Sequence, residues 1–444
     1  MAGVGARGIA LPLCHGFAMK AESPSTSAAE SIKARMMRGA LGAGMLHAVG
    51  VGVLFLMQTV LGRLLGLEEY GIFSYALALT GILALIAPLG WPNAIVRFTA
   101  EYREHQKWGL LKGVLLRAHQ ITLGSALSIS LCLLGASFWP GIPMGIAASL
   151  RFSALLVPVI SFVSLRRRVL QAVYAINVSI AFEEIVLPAL VMAACFTFTV
   201  TTASRALWVY WMAALVVLLM ASISVWKRIP AEVKIARSEF QTGQWVAVAL
   251  PMMVGGITQI IMNRSGTLLL GAMVDMETVG LFTAANRLSN LNTFILGAIS
   301  TITMPMLAAS FHGGRKKQLS QVMRQAILWS ACGSLPLFLI MVIWPDFLLG
   351  LFGTSFKEGA PLLRVLALGQ YVNAATGPVG LNLLMSGKER KFALSIVVIT
   401  AVNILASYLV IPHYGSIGVA WVTAASVAVL NGWLLFLTIR FSQI

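Results

Sequence analysis

Four arginines stand inside long stretches that are otherwise apolar: Arg151, Arg264, Arg287 and Arg364. A guanidinium at the centre of a bilayer costs about 2.5–3.5 kcal/mol on insertion scales. Each must therefore reach the interface or line a cavity. Amides run beside two of them. Asn286, Asn290, Thr293, Gly297 and Ser300 recur at steps of 4, 3, 4 and 3. That spacing puts them on one helix face, with Arg287 beside the stripe near its outer end. Gly256, Gln259, Asn263 and Gly266 recur at 3, 4 and 3, with Arg264 adjacent, and Gln370, Asn373, Gly377 and Gly380 repeat the pattern, interrupted by Pro378. Guanidinium groups can hold an anion through several donors, and amides can meet hydroxyls. Small and amide residues also let helices pack closely in a membrane, so one stripe alone has two readings. Three stripes in one half of the chain, two with an arginine alongside, favour a water-filled cavity.

Glu183 and Glu184 are the acids within an expected helix. If that helix starts near Arg168, they lie about 22–24 Å along it, a candidate site for a coupling proton or cation. If residues 169–182 lie along the interface instead, they are surface acids. His47 is the one histidine well inside an expected span and reads as a packing residue. The sequence holds no nucleophile elbow, no HExxH, no phosphate-binding glycine loop and no acidic metal cluster. Neither a catalytic residue, nor a bound metal, nor a cofactor is expected. Cys132, Cys195 and Cys332 fall in spans and Cys14 in the N-terminal tail, without disulfide or metal spacing.

The elements that must position these groups are membrane helices. Of 444 residues, 58% are hydrophobic and 11% charged, against about 25% charged in a soluble domain. The mean hydropathy is +0.86. This excludes a soluble enzyme, a disordered chain, a coiled coil and a disulfide scaffold. At about 20 apolar residues per crossing, about a dozen spans use some 240 residues and leave no room for a large soluble domain. Charge-free runs place them within residues 39–62, 70–96, 118–150 (two, split at Trp139-Pro140-Gly141), 185–204, 206–226, 240–263, 288–314, 325–345, 365–387 and 392–439 (two, split at Pro412-His413-Tyr414-Gly415). The formal charge of +17 could indicate nucleic acid. With the N-terminus inside, however, 25 of the 32 Lys and Arg fall in cytoplasmic segments and three (Arg63, Arg205 and Lys357) in outer loops. Topogenic charge of this kind puts both termini in the cytoplasm and faces anionic inner-leaflet lipid, so no nucleic-acid partner is expected.

The expected organisation is a disordered cytoplasmic tail over 1–37, a six-helix lobe over 38–226, a cytoplasmic linker over 227–243 and a second six-helix lobe over 244–441. The tail's apolar patch, residues 8–17, is broken by Pro12 and His15 and makes a poor signal peptide, so the true start could be Met19 or Met36. An internal echo supports two lobes. Leu65-Gly66, then Gly71-Ile72-Phe73-Ser74-Tyr75-Ala76, returns as Leu270-Gly271, then Gly280-Leu281-Phe282-Thr283-Ala284-Ala285. An offset of about 205 residues, or six helices, preserves orientation, as in parallel repeats.

Several segments resemble a known family. Leu61-Gly62-Arg63-Leu64-Leu65-Gly66-Leu67-Glu68-Glu69-Tyr70-Gly71 looks like the first-loop signature of bacterial polysaccharide (Wzx-type) flippases, as does Leu89-Gly90-Trp91-Pro92-Asn93-Ala94-Ile95-Val96-Arg97-Phe98. Val279-Gly280-Leu281-Phe282, Ala284-Ala285-Asn286-Arg287-Leu288 and the stretch from Ile411-Pro412-His413-Tyr414-Gly415 to Ala420 resemble the same family. The likeness runs over about residues 38–440. It implies a member of the multidrug/oligosaccharidyl-lipid/polysaccharide exporter superfamily: an all-α polytopic protein of about twelve transmembrane helices, two six-helix lobes around a central cavity, in the bacterial inner membrane. Where family members often place an acid near the end of helix 7, this chain has Ser265-Gly266.

The implied activity is flipping of an oligosaccharide on a polyprenyl diphosphate from the cytoplasmic to the outer leaflet, for surface polysaccharide. A bare charge in hydrocarbon costs tens of kcal/mol by Born solvation, which a wet cavity relieves while the lipid tail stays in the bilayer. Arg287, Arg264 and Arg63 are the candidates to hold the diphosphate. Asn263, Asn286, Asn290, Gln370 and Asn373 are the candidates for sugar hydroxyls, and Glu183 and Glu184 for a coupling ion. Inner-membrane lipid and other polysaccharide-assembly proteins are the further partners implied. Two rivals stand beside this reading. A cation-coupled drug exporter needs cavity carboxylates, and beyond Glu183 and Glu184 none is available. A membrane glycosyltransferase or polymerase usually needs a large outer loop or an acidic pair, and the longest outer loop here is about residues 346–360.

Overall fold

The computed structural model describes residues 26–312, 315–385 and 388–442. The expected disorder of residues 1–25, the alternative start at Met19 and the place of Cys14 lie outside them. Two compact units are present, Met1–Gly42 and Ala43–Ile444. In the first, residues 26–42 are helical. The rest of the architecture concerns the second unit.

Among the described residues every regular element is a helix. In chain order they are α1 (Thr26–Ile86), α2 (Trp91–Glu104), α3 (Trp108–Ser137), α4 (Met144–Ala172), α5 (Ile176–Ile180), a π-helical turn (Ala181–Val186) and α6 (Leu187–Thr197). Then come α7 (Ala203–Arg228), α8 (Ala231–Ile235), α9 (Thr242–Met273), α10 (Met276–Ser289), α11 (Leu291–His312), α12 (Lys316–Ile343) and α13 (Pro345–Gly350). A 3-10 turn (Thr354–Gly359), α14 (Ala360–Ala375), α15 (Val379–Met385) and α16 (Glu389–Ser442) complete the chain.

Among the described residues, eight helices are long and apolar enough to cross a membrane. The sequence leads one to expect about twelve, and the difference has local causes. Gly44–Ile86 and Arg390–Arg440 each hold two expected spans. They run on across a single glycine that leaves helical geometry, Gly66 (φ 73°) and Gly415 (φ 54°), a conformation open to residues without a Cβ. One further expected span, 365–387, is broken in mid-course at Thr376-Gly377-Pro378 between α14 and α15, while the span expected within 288–314 is the helix α11, preceded by α10 across the Ser289-Asn290 junction. The turn expected at Trp139-Pro140-Gly141 joins α3 to α4.

Serines fix how the helices pack. Ser149, Ser153 and Ser161 on α4 each donate to a carbonyl exactly seventy-seven residues earlier in α1, those of Ile72, Ala76 and Ala84. A constant offset means the two segments run parallel. Such bonds replace the water that a bilayer lacks. Glu69 joins α1 to α7 by accepting the Ala203 amide.

The tightest crossing involves the internal echo. A Cβ on Gly71 would collide with the carbonyl of Met276, and a Cβ on Gly280 with the carbonyl of Leu67. Both relations carry the same offset, since 276 − 67 and 280 − 71 are each 209. The repeat is therefore aligned by 209 residues rather than about 205, which matches Leu61-Gly62 to Leu270-Gly271 and Phe73-Ser74 to Phe282-Thr283. Around this crossing lies a buried core of Leu61, Tyr70, Phe73, Leu270, Phe282, Phe352 and Phe356. The segment from α13 through the 3-10 turn lies over it. Phe352 packs edge-on to Phe55 and Tyr70, Phe356 edge-on to Tyr70, and Gly62 leaves room for Phe352.

Candidate functional site

The four intramembrane arginines divide two and two. Arg151 lies over the Phe138 ring at 5.1 Å and donates to Ser137 at 3.4 Å, beside the α3–α4 turn. Arg364 is exposed and donates to the Val342 carbonyl at 3.2 Å, near the end of α12. Both are helix-end residues whose donors are met locally. Arg264 and Arg287 lie deeper. α9 runs on to Met273, so Arg264 is interior to it rather than near its end. α10 begins at Met276, capped where Asp275 accepts the Thr278 amide at 2.7 Å. Arg287 is thus about 16 Å into its helix, eleven residues at 1.5 Å each, not near its outer end.

These two guanidinium groups share one neighbourhood. Their charges act on each other and on the phenols of Tyr70 and Tyr210. Among the described residues, ion pairs are made by Arg167 and His47 with Glu183 and Glu184, and none includes Arg264 or Arg287. The Arg287 Nε is buried without a hydrogen-bond partner. Two like charges held together in low dielectric without a carboxylate are unfavourable until an anion joins them. Tyr70 is fixed by donating to Gln58 at 3.0 Å. Arg63 is the third candidate. It is exposed, and its Nε donates to the carbonyl of Leu351, which ties α1 to the end of α13.

The amides expected to line a cavity largely do so. A cavity of about 360 Å³ lies between α9, α11, α14, α15 and α16, with Gln259, Asn263, Asn290, Thr293, Ser300, Gln370 and Asn373 on its wall. The mid-course break at Gly377-Pro378 opens onto it, as does Asn290 at the junction of α10 and α11. Irregular backbone at membrane depth is tolerated where it lines such a space. Asn431 was not legible as a site residue, yet it organises the wall. It donates to Asn373 at 3.0 Å and to the Val427 carbonyl at 2.9 Å, and Asn373 donates on to Gln370 at 3.2 Å. Its signal is that it is the lone amide in the apolar run over 416–439. Asn286 does not line the cavity; it accepts from Asn290 at 3.3 Å and orients it. Ser265, at the place of the family's helix 7 acid, donates to Asn403 at 3.0 Å and is buried.

Glu183 and Glu184 match neither expected position. α4 carries Arg166, Arg167 and Arg168 to its end, and the chain turns at Tyr174, where φ is 61°. The next helix starts at Ile176, so the acids lie about 11 Å in, seven or eight residues along. They sit in the π-helical turn Ala181–Val186, an irregularity that is common at functional sites. Arg167 pairs with Glu183 at 2.6 Å and reaches Glu184 at 3.7 Å, and His47 meets Glu184 at 2.6 Å. His47 thus bonds to a carboxylate rather than serving as a packing residue. Gly50 lets α1 come this close, since a Cβ there would lie 2.6 Å from that of Glu184. Arg167→Ala leaves two adjacent carboxylates with one partner. It is expected to lower stability by about 1–2 kcal/mol, because the groups are part-exposed; thermal unfolding in detergent measures this, and Arg167→Lys should recover most of it.

The arrangement has recognisable relatives. Among solved structures, the fold is similar to the lipid II flippase MurJ in an inward closed conformation (TM-score 0.70, 12% identity, 90% of this chain and 87% of that one). It is also similar to an inward-facing multidrug-resistance MATE transporter of the MOP superfamily (TM-score 0.68, 15% identity, 90% and 94%). At such identities the likeness shows the fold alone. A probable low-salt glycan biosynthesis flippase, Agl15, of Haloferax volcanii is 22% identical over 197 residues, 44% of this chain and 40% of its own length. An uncharacterised membrane protein of Methanocaldococcus jannaschii is 25% identical over 194 residues, 43% and 37%. The chain spans about two-fifths of the length of these curated relatives. A family model described as MatE matches residues 251–431. The model described as polysaccharide biosynthesis protein matches residues 37–311, well over half the chain, and the protein belongs to that family.

Proposed function

We propose that this protein flips polyprenyl-diphosphate-linked oligosaccharide from the cytoplasmic to the outer leaflet of the bacterial inner membrane, for surface polysaccharide assembly. One observation carries the reading: Arg264 and Arg287 lie together at depth, and no ion pair among the described residues includes them. A diphosphate supplies the charge they lack and accepts several N–H donors at once. The amide-lined cavity one helix turn away receives the glycan, with Asn263, Asn290, Gln370 and Asn373 on its wall and Asn286 orienting Asn290. Arg63 is the third candidate for the head group, through the donors that its bond to Leu351 leaves. Residues 38–226 and 244–441 act as two six-helix lobes that rock about the linker at 227–243, with both termini cytoplasmic. Glu183 and Glu184 serve as a coupling site for a proton, since Arg167 and His47 already occupy the positions a metal ion would take. Other polysaccharide-assembly proteins supply and receive the glycolipid.

The rival reading is drug export, and the charge of the site argues against it. Lipophilic drugs that are cations need carboxylates, and two neighbouring guanidinium groups repel them. Purified protein in vesicles separates the two. An undecaprenyl-diphosphate glycan should become accessible to a glycosidase on the far side at least tenfold faster than in empty vesicles, while a rhodamine dye should not accumulate. Dye transport without glycolipid movement would overturn the proposal, and glycan assembly by the purified protein would point to an enzyme.

A further inference from the structure

We infer that the cavity is a specificity subsite for the sugar nearest the diphosphate, and that it selects an uncharged sugar there. The inference rests on the flippase reading and adds the class of head group. Its position comes from the chain: Asn290 on the wall follows Arg287 by three residues across the α10–α11 junction, and Asn263 on the wall precedes Arg264. The first sugar of a diphosphate held by the arginines is assigned to this neighbouring cavity.

Its size and lining give the selectivity. A cavity of about 360 Å³ has room for a monosaccharide of about a dozen heavy atoms. Among the described residues no charged side chain lines the space; amides, hydroxyls and apolar groups do. Carboxamides offer donors and acceptors in equal measure, as do sugar hydroxyls and acetamido groups. The Asn431–Asn373–Gln370 chain fixes their directions. Phe392 offers an apolar face on the same wall, and Gly380 makes room for it, because a Cβ there would lie 2.8 Å from the ring. A uronic acid in this space would bring a carboxylate away from water with no cation on the wall to pair it.

Reconstituted wild-type protein is given two probes, undecaprenyl diphosphate bearing glucose and the same lipid bearing glucuronic acid. The glucose probe should be flipped at least tenfold faster. Asn431→Leu, which removes the organising amide at similar size, should lower the glucose rate at least tenfold and narrow the ratio to below about threefold. Gly380→Leu, which crowds Phe392 into the cavity, is the second variant should Asn431→Leu not fold, and should act alike. Equal wild-type rates for both probes would overturn the inference and leave the flippase standing. Variants that slow both probes by the same factor would overturn it as well, by making the cavity structural only. Movement of neither probe by wild-type protein would remove the flippase reading and this inference together.

Discussion

Arg264→Ala/Arg287→Ala protein, reconstituted in vesicles at matched amounts, is expected to flip polyprenyl-diphosphate glycan at least 100-fold more slowly than wild type. Hydrogen bonds to a charged group contribute about 1.5–3 kcal/mol each, and each 1.4 kcal/mol is tenfold. Each arginine thus stands for about a tenfold effect or more. In the apo protein the two groups repel each other, so removing one relieves the other. Either single alanine variant should therefore be at least as stable to heat as wild type while losing activity. That pattern distinguishes binding residues from structural ones, whose loss would lower both. Arg→Lys at both sites keeps the charge but loses the planar fork, so it should fall between wild type and alanine. In cells, the same double variant should abolish surface polysaccharide; normal polysaccharide would remove both arginines from the mechanism.

Gly71→Val and Gly280→Val are expected to prevent assembly. At each site the added Cβ meets a backbone carbonyl, of Met276 or Leu67, which cannot rotate aside as a side chain can. Overpacking a core costs about 1–3 kcal/mol where neighbours can adjust, and here they cannot, so the cost should exceed that range. Size-exclusion chromatography in detergent should show aggregated or absent protein. Gly81→Ala is the matched control. It lies in the same helix with nothing within 4 Å of its added Cβ, and it should fold normally. Full-length, monodisperse Gly71→Val protein would mean that the close crossing at α1 and α10 does not exist.

Much of this was legible in the residues. Charge-free runs marked where helices lie, because a bilayer tolerates few charges. The α9, α11 and α14 amides were legible because the 3.6-residue period brings them to one face. What escaped notice was set by tertiary contacts. Nothing near Gly66 or Gly415 separates a helix end from a kink. The early start of α10 depends on one cap, Asp275. Nothing in the sequence sets Tyr70 and Tyr210 beside the arginines; the fold does. His47 and Glu184 are 137 residues apart, a separation that no periodicity can bridge. The internal echo was visible, but its true offset emerged when two glycines were seen to exchange contacts.

The rings of Phe352 and Phe356 have a kinetic consequence. They project from the segment that joins α12 to α14 and are buried against Tyr70. A conformational change that parts the molecule at that end must wet these faces before any cargo can leave. Wetting apolar surface carries a large positive heat capacity. Opening there would then have a barrier whose enthalpy itself grows with warming, so an Arrhenius plot of turnover limited by that step would bend rather than run straight.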